Sequence, residues 1–196
     1  DRRRLSPRRG ANEERIGMPA SQINLEDLII DIPDYPEPGV VFKDITPVLG
    51  NPEGFAAMVD RIADHFKDAG VTKVIGAEAR GFMVGAPVAY KLGAGFVPAR
   101  KPGKLPREVV SESYALEYGT DELQIHADAI SADDVVLLVD DLVATGGTAV
   151  AQVKLVEKFG ARLAGMGFLM ELAFLNPREV IAQAADVDVF SLVKVQ

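Results

Sequence analysis

Between Val135 and Val139 the chain runs Val-Val-Leu-Leu-Val, then continues Asp140-Asp141-Leu142-Val143-Ala144-Thr145-Gly146-Gly147-Thr148. An unbroken apolar segment of this length reads as a strand buried on both faces, as in a parallel sheet covered by helices. After Gly147 the apolar positions Ala149, Val150, Val153, Leu155, Val156 and Phe159 take helical spacing, and Gly160 ends them. The two acids and the glycine pair are therefore expected on a strand-to-helix turn at the carboxyl end of a central strand, where open α/β sheets bind ligands. Backbone N–H groups of a Thr-Gly-Gly-Thr turn suit a phosphate. Adjacent carboxylates suit vicinal hydroxyls, so the chemistry points to a phosphorylated sugar.

The rest of the chain repeats this alternation. Pro52–Phe66 carries a helical stripe of Phe55, Met58, Val59, Ile62 and Phe66, with proline near its start. Strands are expected at Val74–Ala77 and Gly95–Ala99 with a helix over Phe82–Leu92 between them. A strand at Ala164–Met170, a helix at Pro177–Ala185 and a strand at Val187–Val193 follow the central unit. A short amphipathic helix is expected at Leu25–Ile32, before a loop punctuated by Pro33, Pro36 and Pro38. From Lys101 to about Ala127 the alternation breaks. Two partly alternating segments, Val109–Tyr114 and Glu122–His126, suggest a hairpin projecting from the sheet. The fold class is α/β, a mostly parallel twisted sheet flanked by helices.

Composition removes several classes of function. A content of 48% hydrophobic and 26% charged residues is that of a globular chain. No apolar run approaches a membrane span, and a net charge of −8 argues against nucleic acid as the main partner. With no cysteine there is neither a disulfide nor a thiolate metal site, which fits a cytoplasmic enzyme. His65 and His126 are far apart and lack ligand spacing. Neither a G-x-x-x-x-G-K-[ST] loop nor a complete G-x-G-x-x-G fingerprint occurs. Residues 1–17 hold six arginines against three acids without apolar periodicity. They are expected to be a disordered extension or an expression remnant, with a single domain over 18–196 beginning at Met18.

The Asp-Asp…Thr-Gly-Gly-Thr turn resembles the phosphoribosyl-diphosphate signature of the type I phosphoribosyltransferases. Three more segments resemble the adenine-specific branch of that family. They are Pro33 to Pro47, with its Pro-Gly-Val-Val-Phe; Gly76-Ala77-Glu78-Ala79-Arg80-Gly81-Phe82; and Arg100-Lys101-Pro102-Gly103-Lys104-Leu105-Pro106 followed by Ser113-Tyr114-Ala115-Leu116-Glu117-Tyr118-Gly119. The resemblance covers most of residues 25 to 170. It implies a base-binding hood at about 25–50, a flexible lid at about 101–127, and transfer of a phosphoribosyl group from phosphoribosyl diphosphate to adenine, giving AMP and pyrophosphate.

It also implies residue roles. Asp140 and Asp141 would hold the ribose hydroxyls and help position Mg²⁺, the expected cofactor, while Ala144, Thr145, Gly146, Gly147 and Thr148 wrap the 5′-phosphate. Glu78, Ala79, Arg80, Arg100, Lys101 and Lys104 would serve the pyrophosphate, with a cis peptide expected at Glu78–Ala79. Adenine would stack between Phe42 and Leu142, its edge read by backbone groups of Val41 and Lys43. Ser113, Tyr114 and Tyr118 belong to the lid, and Glu117 would handle the proton at N7 of the base. A homodimer is implied as well. Two rivals stand beside this reading: a phosphoribosyltransferase for another purine base, and a non-catalytic sensor of phosphoribosyl diphosphate.

Overall fold

The computed structural model of the protein describes residues 23–115 and 120–196. The expected disordered extension at 1–17 lies outside them, as do Leu116, Glu117, Tyr118 and Gly119.

The chain enters through a 3-10 turn at Glu26–Leu28 and passes directly into a strand, β1 (Ile30–Pro33). This replaces the helix expected at Leu25–Ile32. Ile30-Asp31-Ile32 alternates and is β-branched at two of its three positions, so it pairs better than it coils. Its partner is β2 (Val41–Asp44), antiparallel, from Ile30 opposite Asp44 to Pro33 opposite Val41. The prolines and Gly39 form the connection, closed by Tyr35 N–H donating to the Val40 carbonyl at 3.2 Å. A single turn, α1 (Thr46–Gly50), leads to α2 (Pro52–Phe66). Asn51 starts α2 by accepting the Gly54 N–H at 2.8 Å, with Pro52 in the first helical position.

β3 (Lys73–Ala77), α3 (Arg80–Leu92) and β4 (Gly95–Ala99) follow, then the hairpin β5 (Val109–Ala115) and β6 (Thr120–His126). After it come β7 (Val135–Val143), α4 (Gly147–Lys158), β8 (Arg162–Leu172), α5 (Pro177–Ala184) and β9 (Val189–Val195). The five-stranded sheet is parallel throughout, in the order β4-β3-β7-β8-β9.

The period of two along β7 explains its unbroken apolar run. Val136 and Leu138 face one cluster with Ile75, Val153, Val156, Met166 and Ile181, under α4 and α5. Leu137 and Val139 face the other with Met58, Ile62, Phe66, Val84 and Val88, under α2 and α3. Burying each such aliphatic side chain contributes about 1.5–3 kcal/mol, so β7 anchors both layers. The hairpin is rooted rather than free: Leu123 and Ile125 of β6 are fully buried, and Arg100 and Gln124 bridge it to the end of β4.

Candidate functional site

Strand order positions the site. From β3 the chain moves outward through α3 to β4, then returns past β3 to β7 and continues the other way through α4 to β8. The sheet therefore reverses direction between β3 and β7, and a crevice opens at their carboxyl ends. Glu78, Ala79 and Arg80 follow β3, with a cis peptide at Glu78–Ala79 as the resemblance implies. Asp140 and Asp141 are not on the turn, as the sequence suggests, but inside β7, which keeps its pairing with β8 through Val143 opposite Glu171. Residues 144–146 alone make the turn, and Gly146 takes φ of +89°, a conformation that suits glycine. Gly146 at the N-cap has no side chain to cap α4, so among the described residues its first N–H groups stay open to a ligand.

Two adjoining cavities result. One, of about 110 Å³, is lined by the turn from Ala144 to Thr148 together with Leu138, Asp140, Leu142, Gln152 and Phe168. The other, of about 260 Å³, is lined by Glu78, Ala79, Arg80, Lys101, Tyr114, Leu123, Asp140, Asp141, Leu142 and Thr148. Asp140, Leu142 and Thr148 belong to both. Leu123, Leu138, Gln152 and Phe168 were not singled out from the sequence. Gln152 stands one helical turn after Thr148, which is the only sequence signal that could have marked it.

The electrostatics are unusual for a surface crevice. Asp140 Oδ1 accepts the Asp141 N–H at 2.9 Å. Burial, and then the neighbouring Asp141 charge, raise the Asp140 carboxyl well above the ordinary range, which Arg80 only partly offsets. Arg80 Nε stands 2.9 Å from Asp141 Oδ2. That ion pair is not aligned as a hydrogen bond, so the buried Asp141 oxygen makes none among the described residues. The Arg80 guanidinium also lies 5.5 Å from the centre of the Phe42 ring, which joins the β1–β2 ribbon to the crevice.

Three further cations beside the crevice are engaged. Arg100 Nε donates to Glu78 Oε2 at 2.6 Å, Lys101 pairs with Asp121, and Arg107 pairs with Asp128. Of the four cations from Arg100 to Arg107, Lys104 alone forms no ion pair among the described residues. Neither Arg100 nor Lys104 lines the cavity; Arg100 reaches it only through Glu78. Tyr114 lines the cavity and donates to Asp121 at 3.0 Å, whereas Ser113, next along β5, is exposed, as strand alternation requires. Phe42 and Lys43 likewise point to opposite faces of their ribbon. Lys43 Nζ is 2.7 Å from Asp31 Oδ1, in a separate cavity with Glu26, Met170 and Val193. Val41 is exposed, and Leu142 is in the crevice.

The family model described as "Phosphoribosyl transferase domain" matches residues 47–193. The adenine phosphoribosyltransferase of Solidesulfovibrio magneticus is 56% identical over 157 residues, 80% of this chain and 92% of that protein. That of Aeromonas salmonicida is 54% identical over 170 residues, 87% and 93% of the two chains. The crystal structure of the APRTase from Giardia lamblia complexed with 9-deazaadenine superimposes with a TM-score of 0.84 at 36% identity, covering 92% of this chain and 99% of that one. With its fold, its crevice and these likenesses in agreement, the chain belongs to the adenine phosphoribosyltransferases of the type I phosphoribosyltransferase family.

Proposed function

We propose that the protein transfers the 5-phosphoribosyl group from phosphoribosyl diphosphate to adenine, giving AMP and pyrophosphate in purine salvage. The observation that carries this reading is the crevice itself. The Glu78–Arg80 loop, the Asp140–Asp141 pair and the Ala144–Thr148 turn converge there, although they come from two strands far apart in sequence.

In the reaction a bond forms between N9 of adenine and C1′ of the sugar. The C1′–O bond breaks, and its electron pair leaves with pyrophosphate. Positive charge grows on the sugar while negative charge grows on the leaving group. Arg80 and Lys101, both lining the larger cavity, offer charge-assisted donors to the departing oxygens. Each is held by a carboxylate, Asp141 and Asp121, so the substrate's phosphates exchange for these partners on entry. The carboxylates of Asp140 and Asp141 accept from the ribose hydroxyls, and the uncapped start of α4 receives the 5′-phosphate. Phe42 and Leu142 supply apolar surfaces for the base, with backbone groups of Val41 and Lys43 at its edge. The β5–β6 hairpin brings Tyr114 to the cavity wall, where it limits water access to the activated sugar.

Mg²⁺ fits the donor set. Asp140 and Asp141 present hard oxygens, one of them buried without a hydrogen bond, beside space for the substrate's own phosphate oxygens. When bound there, the ion would neutralise charge on the leaving pyrophosphate. The protein is proposed to act as a homodimer; exposed Met83 and Tyr90 on α3 supply apolar surface in keeping with that. No helix among the described residues is long and apolar enough to cross a membrane.

The direct test is AMP formation from adenine, phosphoribosyl diphosphate and Mg²⁺, with hypoxanthine and guanine run in parallel. Turnover with adenine alone is expected; turnover with an oxopurine instead would overturn the base assignment. Glu117, outside the described residues, is proposed to take the proton released at N7. Glu117→Ala should lower kcat by about 10²-fold or more while moving either KM much less. An unchanged kcat and pH–rate profile would remove that role.

A further inference from the structure

The end of β8 and the helix α5 contribute nothing to either cavity wall, yet they reach the phosphate turn from behind. Glu171 pairs in register with Val143, the residue that leads into the turn. It is a carboxylate only 2% exposed, and Arg178 grips it at both oxygens: Nε donates to Oε1 and Nη2 to Oε2, each at 2.8 Å. Arg178 is the second residue of α5, so this planar fork fastens the helix start to the strand end. The same helix start presses on the turn. A Cβ added to Gly146 would meet the Pro177 carbonyl oxygen at 3.1 Å and the Val180 side chain at 3.3 Å. Ile181, 1% exposed, locks the following turn of α5 into the core.

Glu171 is buried while Arg178 stays partly exposed, and an ion pair of this kind is weak evidence for stability. What a two-point fork adds is a fixed distance and orientation. We infer that Glu171 and Arg178 are a positioning pair for the phosphate turn. They hold α5 against Gly146 so that the N–H groups of residues 145–148 are preset to receive the 5′-phosphate of the sugar. This rests on the proposed function and deepens it, since neither residue lines either cavity.

Such a pair is felt only by ligands that carry the 5′-phosphate. The full-length protein and the variants Arg178→Met, Glu171→Gln and Arg178→Lys are titrated calorimetrically with AMP, ribose 5-phosphate and pyrophosphate. Melting temperatures and steady-state constants are measured on the same samples. In Arg178→Met and Glu171→Gln, AMP and ribose 5-phosphate should bind about 10-fold more weakly, and KM for phosphoribosyl diphosphate should rise in parallel. Pyrophosphate affinity and KM for adenine should stay within about twofold. Arg178→Lys keeps the charge without the fork and should recover part of the loss. Unchanged AMP affinity in the variants would overturn the inference, and so would equal weakening of pyrophosphate, the mark of general loosening. If Arg178→Met does not fold, the two milder variants carry the same comparison. A wild-type protein that binds neither AMP nor ribose 5-phosphate would instead overturn the proposed function.

Discussion

Asp140→Asn is expected to melt at a higher temperature than the wild type while forming AMP about 10²–10³-fold more slowly. Both effects come from one carboxyl. Burial, then the adjacent Asp141 charge, raise it well above its ordinary value of 3.8, so the ionised form is disfavoured in the folded state. The sign follows from linkage. A raised acid costs nothing below its unfolded-state value, and the cost grows as pH climbs to the folded-state value and stays constant above it. At neutral pH the wild type carries that penalty. Asparagine removes it and still offers Oδ1 to the Asp141 N–H, now at 2.9 Å. A gain of this kind is worth roughly 0.5–2 kcal/mol, and about 2–4 °C of Tm accompanies each kcal/mol in a chain of this size. The advantage should shrink toward zero as pH is lowered below about 4, where the wild-type carboxyl is protonated in the folded and unfolded states alike. A variant less stable than wild type at pH 7 would sink the electrostatic account. Normal turnover would remove Asp140 from the site.

Gly81→Ala should damage stability and activity together. A methyl group at this first turn of α3 would lie 2.6 Å from Asp140 Oδ1 and 3.1 Å from its Cγ. Gly76 on β3 packs as tightly from the other side, since a Cβ there would sit 2.7 Å from the Gly81 carbonyl oxygen. The three segments are stacked at van der Waals limits, so α3 cannot retreat and Asp140 must move. Overpacking of this kind costs about 1–3 kcal/mol. Displacing Asp140 and Arg80 by even a fraction of an ångström should lower kcat/KM by about 10²-fold. Gly50→Ala is the control, because a Cβ there meets nothing within 4 Å. Wild-type kinetics and melting in Gly81→Ala would show that the contact yields freely.

Where periodicity is strong, local sequence was sufficient. The stripe along Pro52–Phe66 became α2 with the same bounds, and Gly95–Ala99 became β4. Strong signals failed only at ends and short pieces. Ile30–Ile32 was read as the end of a helix from Leu25 because so short a piece cannot declare a period, and cross-strand pairing with β2 decided its state. β7 runs past both acids because β8 keeps supplying partners through Val143, which no reading of one strand can foresee. Candidate chemistry was legible wherever residue type alone implies it: paired acids, a glycine-rich turn and arginine beside a buried strand. Side-chain direction was not. Lys43 turns to Asp31, Arg100 to Glu78 and Lys101 to Asp121, each a partner at least twelve residues away.

The sequence by itself determined the layers, the central strand and the kinds of groups at its end, because strand and helix periods are properties of neighbouring residues. Tertiary structure alone decided that β3 lies beside β7, which brings Arg80 within 2.9 Å of Asp141, and that α5 closes on Gly146. Strand order and side-chain partners depend on long-range packing against both faces of the sheet, and no local pattern in the chain encodes that packing.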